Sequence, residues 1–342
     1  MKVAKGGAAR DPLTDLQRIA YLLERAHEAT PRVKAFRTAA SIVEELPAAE
    51  LAERAANNTL TDLAGIGDTT STVIRESLAG KVPAYLAKLE AALPPVKNPG
   101  RMQAALKGDL HMHSDWSDGG SPIEEMVTAA RDLGHEYVAL TDHSPRLTVA
   151  RGLTADRLRE QLKIVKQLNK KMAPFRILTG IEVDILEDGS LDQDEELLAE
   201  LDVVVASVHS KLRMDARQMT ERMVVAVANP HTDILGHCTG RLLAGRGRPE
   251  SEFDADLVFE ACKQFGTAVE INSRPERLDP PRRLLALAEE IGCMFSVDTD
   301  AHAPGQLEWQ VNGCERADEI DLDPDRVINT RSADDLLELL ST

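Results

Sequence analysis

At 342 residues with a formal net charge of −17, the chain is long enough for two domains that each bury a core. Residues 1–97 hold 13 Lys/Arg against 12 Asp/Glu, while the remaining 245 hold 27 against 45, a balance of −18. So acidic a half argues against broad non-specific coating of nucleic acid and suits a protein that gathers divalent cations. The four Cys form no C-x-x-C pair, no apolar run approaches membrane-spanning length, and the N-terminus lacks the apolar stretch of a secretory leader. A reducing cytoplasm and no membrane partner are expected.

From Asp11 to about Leu93 the pattern is helical. Leu13, Leu16, Ile19, Ala20 and Leu23 recur at helical spacing, and further helices are expected over Pro31–Glu45 and Ala48–Asn57. Leu60-Thr-Asp-Leu-Ala-Gly-Ile-Gly-Asp68 then leads into a helix through Leu78. Gly65-Ile66-Gly67 between helices permits a tight turn that leaves amide N–H groups at a helix N-terminus, a place for a phosphate. A plain packed turn would carry the same glycines. Leu93-Pro-Pro-Val-Lys-Asn-Pro-Gly100 reads as a linker.

From Leu106 short β-branched runs alternate with helical segments, the pattern of a parallel β/α fold. Seven strands are expected, at Lys107–Met112, Tyr137–Thr141, Arg176–Val183, Val203–Val208, Asp233–Gly236, Ala268–Ile271 and Met294–Val297. Helices are expected near Pro122–Leu133, Thr154–Met172, Gln193–Leu201, Ala216–Ala228, Ala255–Phe265 and Arg282–Ile291. Function gathers at the C-terminal ends of parallel strands. Here those ends carry His111-Met-His113, Asp142-His143, Glu182, His209, His237, Asn272 and Asp300-Ala-His302, with Asp118 in a turn shortly after the first strand. Six of the nine His lie at such positions. Packed together without cations the carboxylates would repel one another and the imidazoles would lack partners, so a metal site is expected.

This set of strand-end motifs resembles the PHP (polymerase and histidinol phosphatase) family across residues 106–342. The resemblance implies a distorted seven-stranded (β/α)7 barrel and three divalent cations, zinc or manganese, with iron a further candidate. The first would take His111, His113, Glu182 and Asp300; the second would share Glu182 and add His209 and His237; the third would take Asp118, His143 and His302. The implied chemistry is phosphate ester hydrolysis by a metal-bridging hydroxide, with Glu182 and Asp300 central to catalysis. Cationic loop residues should hold the remaining phosphoryl oxygens: Lys211, Arg213, Arg241, Arg274 and Arg277 are the candidates, and the resemblance favours Arg241 and Arg277. Asp142 either orients a liganding His or caps a turn.

The N-terminal stretch is similar to the helical domain of family X DNA polymerases, whose helix-hairpin-helix motif grips backbone phosphates; Gly65, Ile66 and Gly67 are the DNA-binding positions implied. The segment Thr69–Leu78 has Arg75 and no Lys, which argues against a deoxyribose-phosphate lyase, and no room remains before Gly108 for a polymerase palm. The expected organisation is a small all-α helix-hairpin-helix domain at 1–97, a linker at 98–105 and the phosphoesterase barrel at 106–342. The expected function is a DNA 3′–5′ exonuclease or 3′-end phosphatase in repair. A small-molecule phosphatase of histidinol-phosphatase type is the alternative, and a non-catalytic DNA-end binding module a second one.

Overall fold

A computed structural model describes residues 10–93 and 100–341, which divide at Lys97/Asn98 into two compact units. Most of the Pro/Gly stretch read as a linker lies outside the described residues.

The first unit is all helical: α1 (Pro12–Arg25), α2 (Thr30–Glu45), α3 (Ala48–Asn57), α4 (Asp68–Leu78) and α5 (Ala84–Ala92). Asp11 starts α1 by accepting from the backbone N–H of Leu13 and Thr14, which are orphan donors of the first turn. The apolar stripe read from the sequence is buried: Leu16, Ile19 and Leu23 of α1 pack with Phe36, Val43, Ile74 and Leu86. Asp15, also buried, is ion-paired to Arg10 and accepts from Ser77 Oγ at 2.7 Å, so its charge is not left alone. Between α3 and α4 the chain turns at Gly65, whose φ of +102° needs glycine; a Cβ there would lie 2.8 Å from Thr38 Cγ2 and Ile42 Cδ1.

The second unit opens with α6 (Arg101–Ala105) where a linker was expected. It forms because Met102 is fully buried and its N–H is held by Asp318 Oδ1 at 3.0 Å. Then come β1 (Gly108–Met112), α7 (Ile123–Asp132), β2 (Tyr137–Leu140), α8 (Ala155–Met172), β3 (Arg176–Asp184), α9 (Glu195–Leu198), β4 (Val203–Ser207), α10 (Ala216–Val227), β5 (Ile234–Leu235), α11 (Ala255–Phe265), β6 (Ala268–Asn272), α12 (Arg282–Ile291) and β7 (Phe295–Asp298). The chain ends with α13 (Gln310–Glu319) and α14 (Ala333–Leu340), helices for which the sequence reading had no place.

All seven strands are parallel and pair in sequence order from β1 to β7, a nearly closed barrel. The β7–β1 seam is sealed largely by side chains. Asp298 accepts from the Leu110 N–H at 2.8 Å, Asp109 from the Thr299 N–H at 3.2 Å, and Asn329 Nδ2 reaches the Gly108 and Val297 carbonyls at 3.0 and 2.8 Å. Alternation along the strands divides the interior by height. Val203 and Val205, Leu178, and Ala268 pack with Ile328 and Leu336 at the N-terminal end. The same faces continue upward to His209, Glu182, and Glu270 and Asn272.

Candidate metal centre

Glu182, near the end of β3 and only 1% exposed, lies at the middle of the strand-end cluster. Its two oxygens divide the imidazoles. Oε1 lies 2.9 Å from His237 Nε2 and 3.2 Å from His209 Nε2. Oε2 lies 2.8 Å from His143 Nδ1, 3.4 Å from His111 Nε2 and 3.6 Å from His113 Nε2. A register shift in β1 between Asp109 and Met112 accompanies the convergence of His111 and His113 on one oxygen.

Around this centre Asp300 Oδ1 approaches His113 Nε2 at 3.5 Å, and Asp118 Oδ1 approaches His302 Nε2 at 3.3 Å and His143 Nε2 at 3.5 Å. All nine ligand positions expected from the sequence are thus drawn together. Three sets of donors each fit within a sphere of ligation: His111, His113 and Glu182; His143, Glu182 and His209; and His113, Asp118, His143 and His302. His113 falls in two sets, so the sharing is wider than a strict division of one His per cation.

These approaches are close, yet most are not hydrogen bonds. Both carboxylate oxygens of Glu182, both ring nitrogens of His113 and His209, and Nε2 of His111 are buried with no hydrogen-bond partner among the described residues. Several buried donors left unsatisfied side by side would cost on the order of 1–3 kcal/mol each. Lone pairs aimed at a common point rather than at one another are what cations demand, so the residues present fit divalent metal.

The electrostatics agree. Burial opposes the charge on Glu182, but His143, His209 and His111 outweigh it and hold the carboxyl well below the usual range. Asp300 is likewise held low against its burial by Arg274 and His113. Burial, with His302 and His143 nearby, keeps His113 neutral, and burial with Arg277 lowers His237 to about 4. Two other imidazoles differ: Glu270 and Glu182 raise His111 well above the usual imidazole range against its burial, and Glu182 with Asp184 raises His209 to about 9, so metal binding at those two rings has to release a proton from each. Two ligand positions, His237 at φ 30° and Asp300 at φ 53°, are held in left-handed backbone, a strain that recurs at functional sites. Gly236 lets β5 approach β4, since a Cβ there would meet Ser207 Oγ at 2.0 Å.

Residues to which the sequence assigned no role support the cluster, among them Glu270 of the strand-end motif Glu270-Ile-Asn272. Glu270 Oε1 contacts His111 Nδ1 at 2.5 Å, which leaves Nε2 of that ring free to face the cluster. Asp184 approaches His209 Nδ1 at 3.5 Å and accepts the His209 backbone N–H. A buried Glu and Asp on the inward faces of β6 and β3 were the available signal. Asp142 orients no imidazole; it accepts from Ser114, Ser117 and Gln161 and so ties down the loop after β1.

The cationic candidates separate. Arg277 Nε lies 3.1 Å from Asp300 Oδ2, and Arg274 Nη1 lies 2.9 Å from His302 Nδ1. Arg241 differs from expectation: it donates to the carbonyls of Arg277 and Leu278 and braces their loop, because the long β5–α11 connection that carries it lies against that backbone. Lys211 and Arg213 are exposed on the turn after β4 and form no ion pair with the cluster among the described residues.

Comparison with known proteins agrees with this geometry. The PHP domain family matches residues 109–274. The DNA polymerase/3′-5′ exonuclease PolX of Bacillus subtilis (strain 168) is 44% identical over 231 residues, 68% of this chain and 40% of that protein, so this chain spans less than half of that relative. A probable phosphatase of Thermoanaerobacter sp. (strain X514) is 31% identical over 205 residues, 57% of this chain and 78% of the relative. Among solved structures, histidinol phosphate phosphatase from Lactococcus lactis subsp. lactis Il1403, complexed with zinc, L-histidinol and phosphate, covers 64% of this chain and 94% of its own at 19% identity and a TM-score of 0.48. With its barrel, its strand-end cluster and a 31% identical relative matched over most of that relative's length, the chain belongs to the PHP family of phosphate-ester hydrolases.

Proposed function

We propose that the chain is a metal-dependent phosphoesterase acting on DNA ends, as a 3′–5′ exonuclease or 3′-end phosphatase. The observation that carries the hydrolytic part is the buried Glu182 carboxylate with five imidazoles around it and unsatisfied polar atoms on both sides. In this reading His111, His113, Glu182 and Asp300 hold one cation, Glu182, His209 and His237 a second, and Asp118, His143 and His302 a third. Divalent cations held there supply an activated water and neutralise charge on the phosphoryl oxygens. Glu270 keeps His111 in the tautomer that presents Nε2. Arg277 and Arg274, both beside Asp300, offer guanidinium N–H groups to the non-bridging oxygens of the ester.

The choice of DNA rests on the 44% identity to a protein named a polymerase and 3′-5′ exonuclease, and on the N-terminal unit. There Gly67 caps α4, and the first-turn amides after it lack intrahelical partners by position and face outward as a phosphate cradle would. Gly65 and the buried Ile66 shape that turn. A chain of this kind works in the cytoplasm, where DNA is found in bacteria.

A second reading, a phosphatase for small phosphomonoesters, is favoured by the 31% identical relative named a probable phosphatase. One experiment separates the two. The full chain is loaded with manganese or zinc and offered a 3′-recessed duplex, single-stranded DNA and histidinol phosphate. Turnover of DNA substrates supports the first reading; turnover of histidinol phosphate alone supports the second.

A further inference from the structure

The acidic barrel unit carries one helix of opposite sign. Helix α8 holds Arg157, Arg159, Lys163, Lys166, Lys170 and Lys171 against Asp156 and Glu160, within a unit whose balance is close to −18. At 100° per residue, Arg159, Lys163, Lys166 and Lys170 fall within an arc of about 60° and form a single row about 16 Å long. All four are exposed. Arg159 has an exposed partner, Asp156, at 3.7 Å, whereas Lys163, Lys166 and Lys170 have no ion pair among the described residues.

A charged helix face is ordinarily just a solvated face, and cations near a helix C-terminus gain from the dipole. The dipole accounts for Lys170 and Lys171; Lys163 has Glu160 three positions earlier on the helix, whereas Lys166, in mid-helix, has no acidic residue three or four positions earlier. Helix α8 starts on the side of the metal cluster, and the row begins about 7 Å along it, at Arg159. Helix α8 is capped by Thr154, and the preceding Leu153 gives its N–H to the His143 carbonyl at 2.7 Å. From there the row leads along the outside of the barrel, beside β3. The groove beside it is mixed in charge, lined by Lys166, Lys170 and Arg176 together with Glu200 and Asp202, so the cationic row is bordered by acids on that side.

We infer that the Lys163–Lys166–Lys170 row is a track for the sugar-phosphate backbone of a single nucleic-acid strand whose end occupies the metal cluster. The inference rests on the DNA reading above and adds the route the strand takes on leaving the site. A narrow, single-file row of cations matches a strand. An anionic lipid surface would need apolar anchors alongside, and none of the large exposed apolar side chains among the described residues lies on α8.

The test compares the full chain with its K163A/K166A/K170A variant on a single-stranded 20-mer and on a small chromogenic phosphodiester, with melting followed by circular dichroism. The expected result is a KM for the 20-mer raised about tenfold with kcat unchanged, and a slope of log affinity against log salt reduced by about 2. Small-diester turnover and melting stay as they were. A variant with the same KM and salt slope on the 20-mer, while the unaltered chain hydrolyses it, overturns the track and leaves the DNA reading standing. If the unaltered chain neither binds nor cuts the 20-mer, both fall. A triple variant that loses binding only to an acidic protein or to anionic vesicles also overturns the nucleic-acid track.

Discussion

In the proposed function the two units meet phosphate in opposite ways. The barrel concentrates side-chain donors: nine His, Asp and Glu positions from different strand ends converge within a few ångströms, at the cost of burying several charges. The N-terminal unit is nearly neutral overall, and its candidate phosphate cradle is built of backbone at the start of α4. A side-chain site depends on protonation states and on metal supply. A backbone site depends only on the turn holding its shape. Substitutions should therefore act on the barrel through metal content and turnover, and at the α4 turn of the helical unit through the shape of the turn and DNA affinity.

The largest expected effect comes from Glu182→Ala. Removing the carboxylate that serves both halves of the cluster should lower hydrolysis of any phosphate ester by at least about 10³-fold. Bound metal, measured by mass spectrometry after desalting, should fall with it. Full turnover with metal retained would break the assignment of the cluster as the reactive centre.

Glu270→Ala should weaken metal affinity by about 10- to 100-fold through loss of the contact to His111 Nδ1, with Glu270→Gln between the two. Titration of metal into the stripped protein reads this directly, and excess metal should restore most of the turnover. If excess metal restores nothing, Glu270 does more than hold the ring.

Gly67→Asp sharpens the contrast in the other unit. Gly67 has φ −98° and open space where a Cβ would go, and Asp is a favoured helix cap. Thermal stability should hold or rise by about a few tenths of a kcal/mol. Affinity for a 3′-recessed duplex should fall about tenfold, because the new carboxylate faces the phosphate, while small-diester turnover is unchanged. Gly65→Ala, by contrast, should destabilise the unit, since its added methyl meets Thr38 and Ile42 at positive φ.

The smallest effect concerns pH. Partial burial raises Asp233 to about 7 even though its carboxylate accepts the Val204 N–H. The unfolded chain ionises this group near 4, so the folded state holds the extra proton between about pH 4 and pH 7. Stability from this site is complete below about pH 4 and is lost as pH rises through about 7. Asp233→Asn should flatten that part of the stability curve by about 2 kcal/mol, discounted for the group's remaining contact with water. Urea denaturation across the range measures it.

Much of the barrel was legible because alternating β-branched runs and helical stripes report local burial directly. The expected strand spans agree with β1 to β7 to within about two residues at either end. The convergence of the nine candidate positions was legible for a related reason: strand ends in a parallel sheet all face one pole, so residues far apart in sequence are brought together by topology. Less was legible where a role depends on what lies across space. Arg241 and Arg277 look alike in sequence, yet one braces a loop and the other faces Asp300. The contact of Glu270 with His111 joins β6 to β1, and the Asp109 and Asp298 carboxylates seal the seam between the first and last strands. Helix α13 carries a weak periodic signal, whereas the clear amphipathic stripe of α14 went unread, and α6 depends on Asp318 far along the chain.

By itself, the sequence determined the parallel β/α architecture, the helical character of the first unit and the identity of the metal-ligating residue types, because periodicity and strand-end position are local properties of the chain. Only the tertiary structure decided how Glu182 divides the imidazoles between its two oxygens, which arginine faces the cluster, and that Lys163, Lys166 and Lys170 of α8 stand exposed in a row beside β3. Those facts are distances between residues that share no local pattern, and only closure of the barrel sets them.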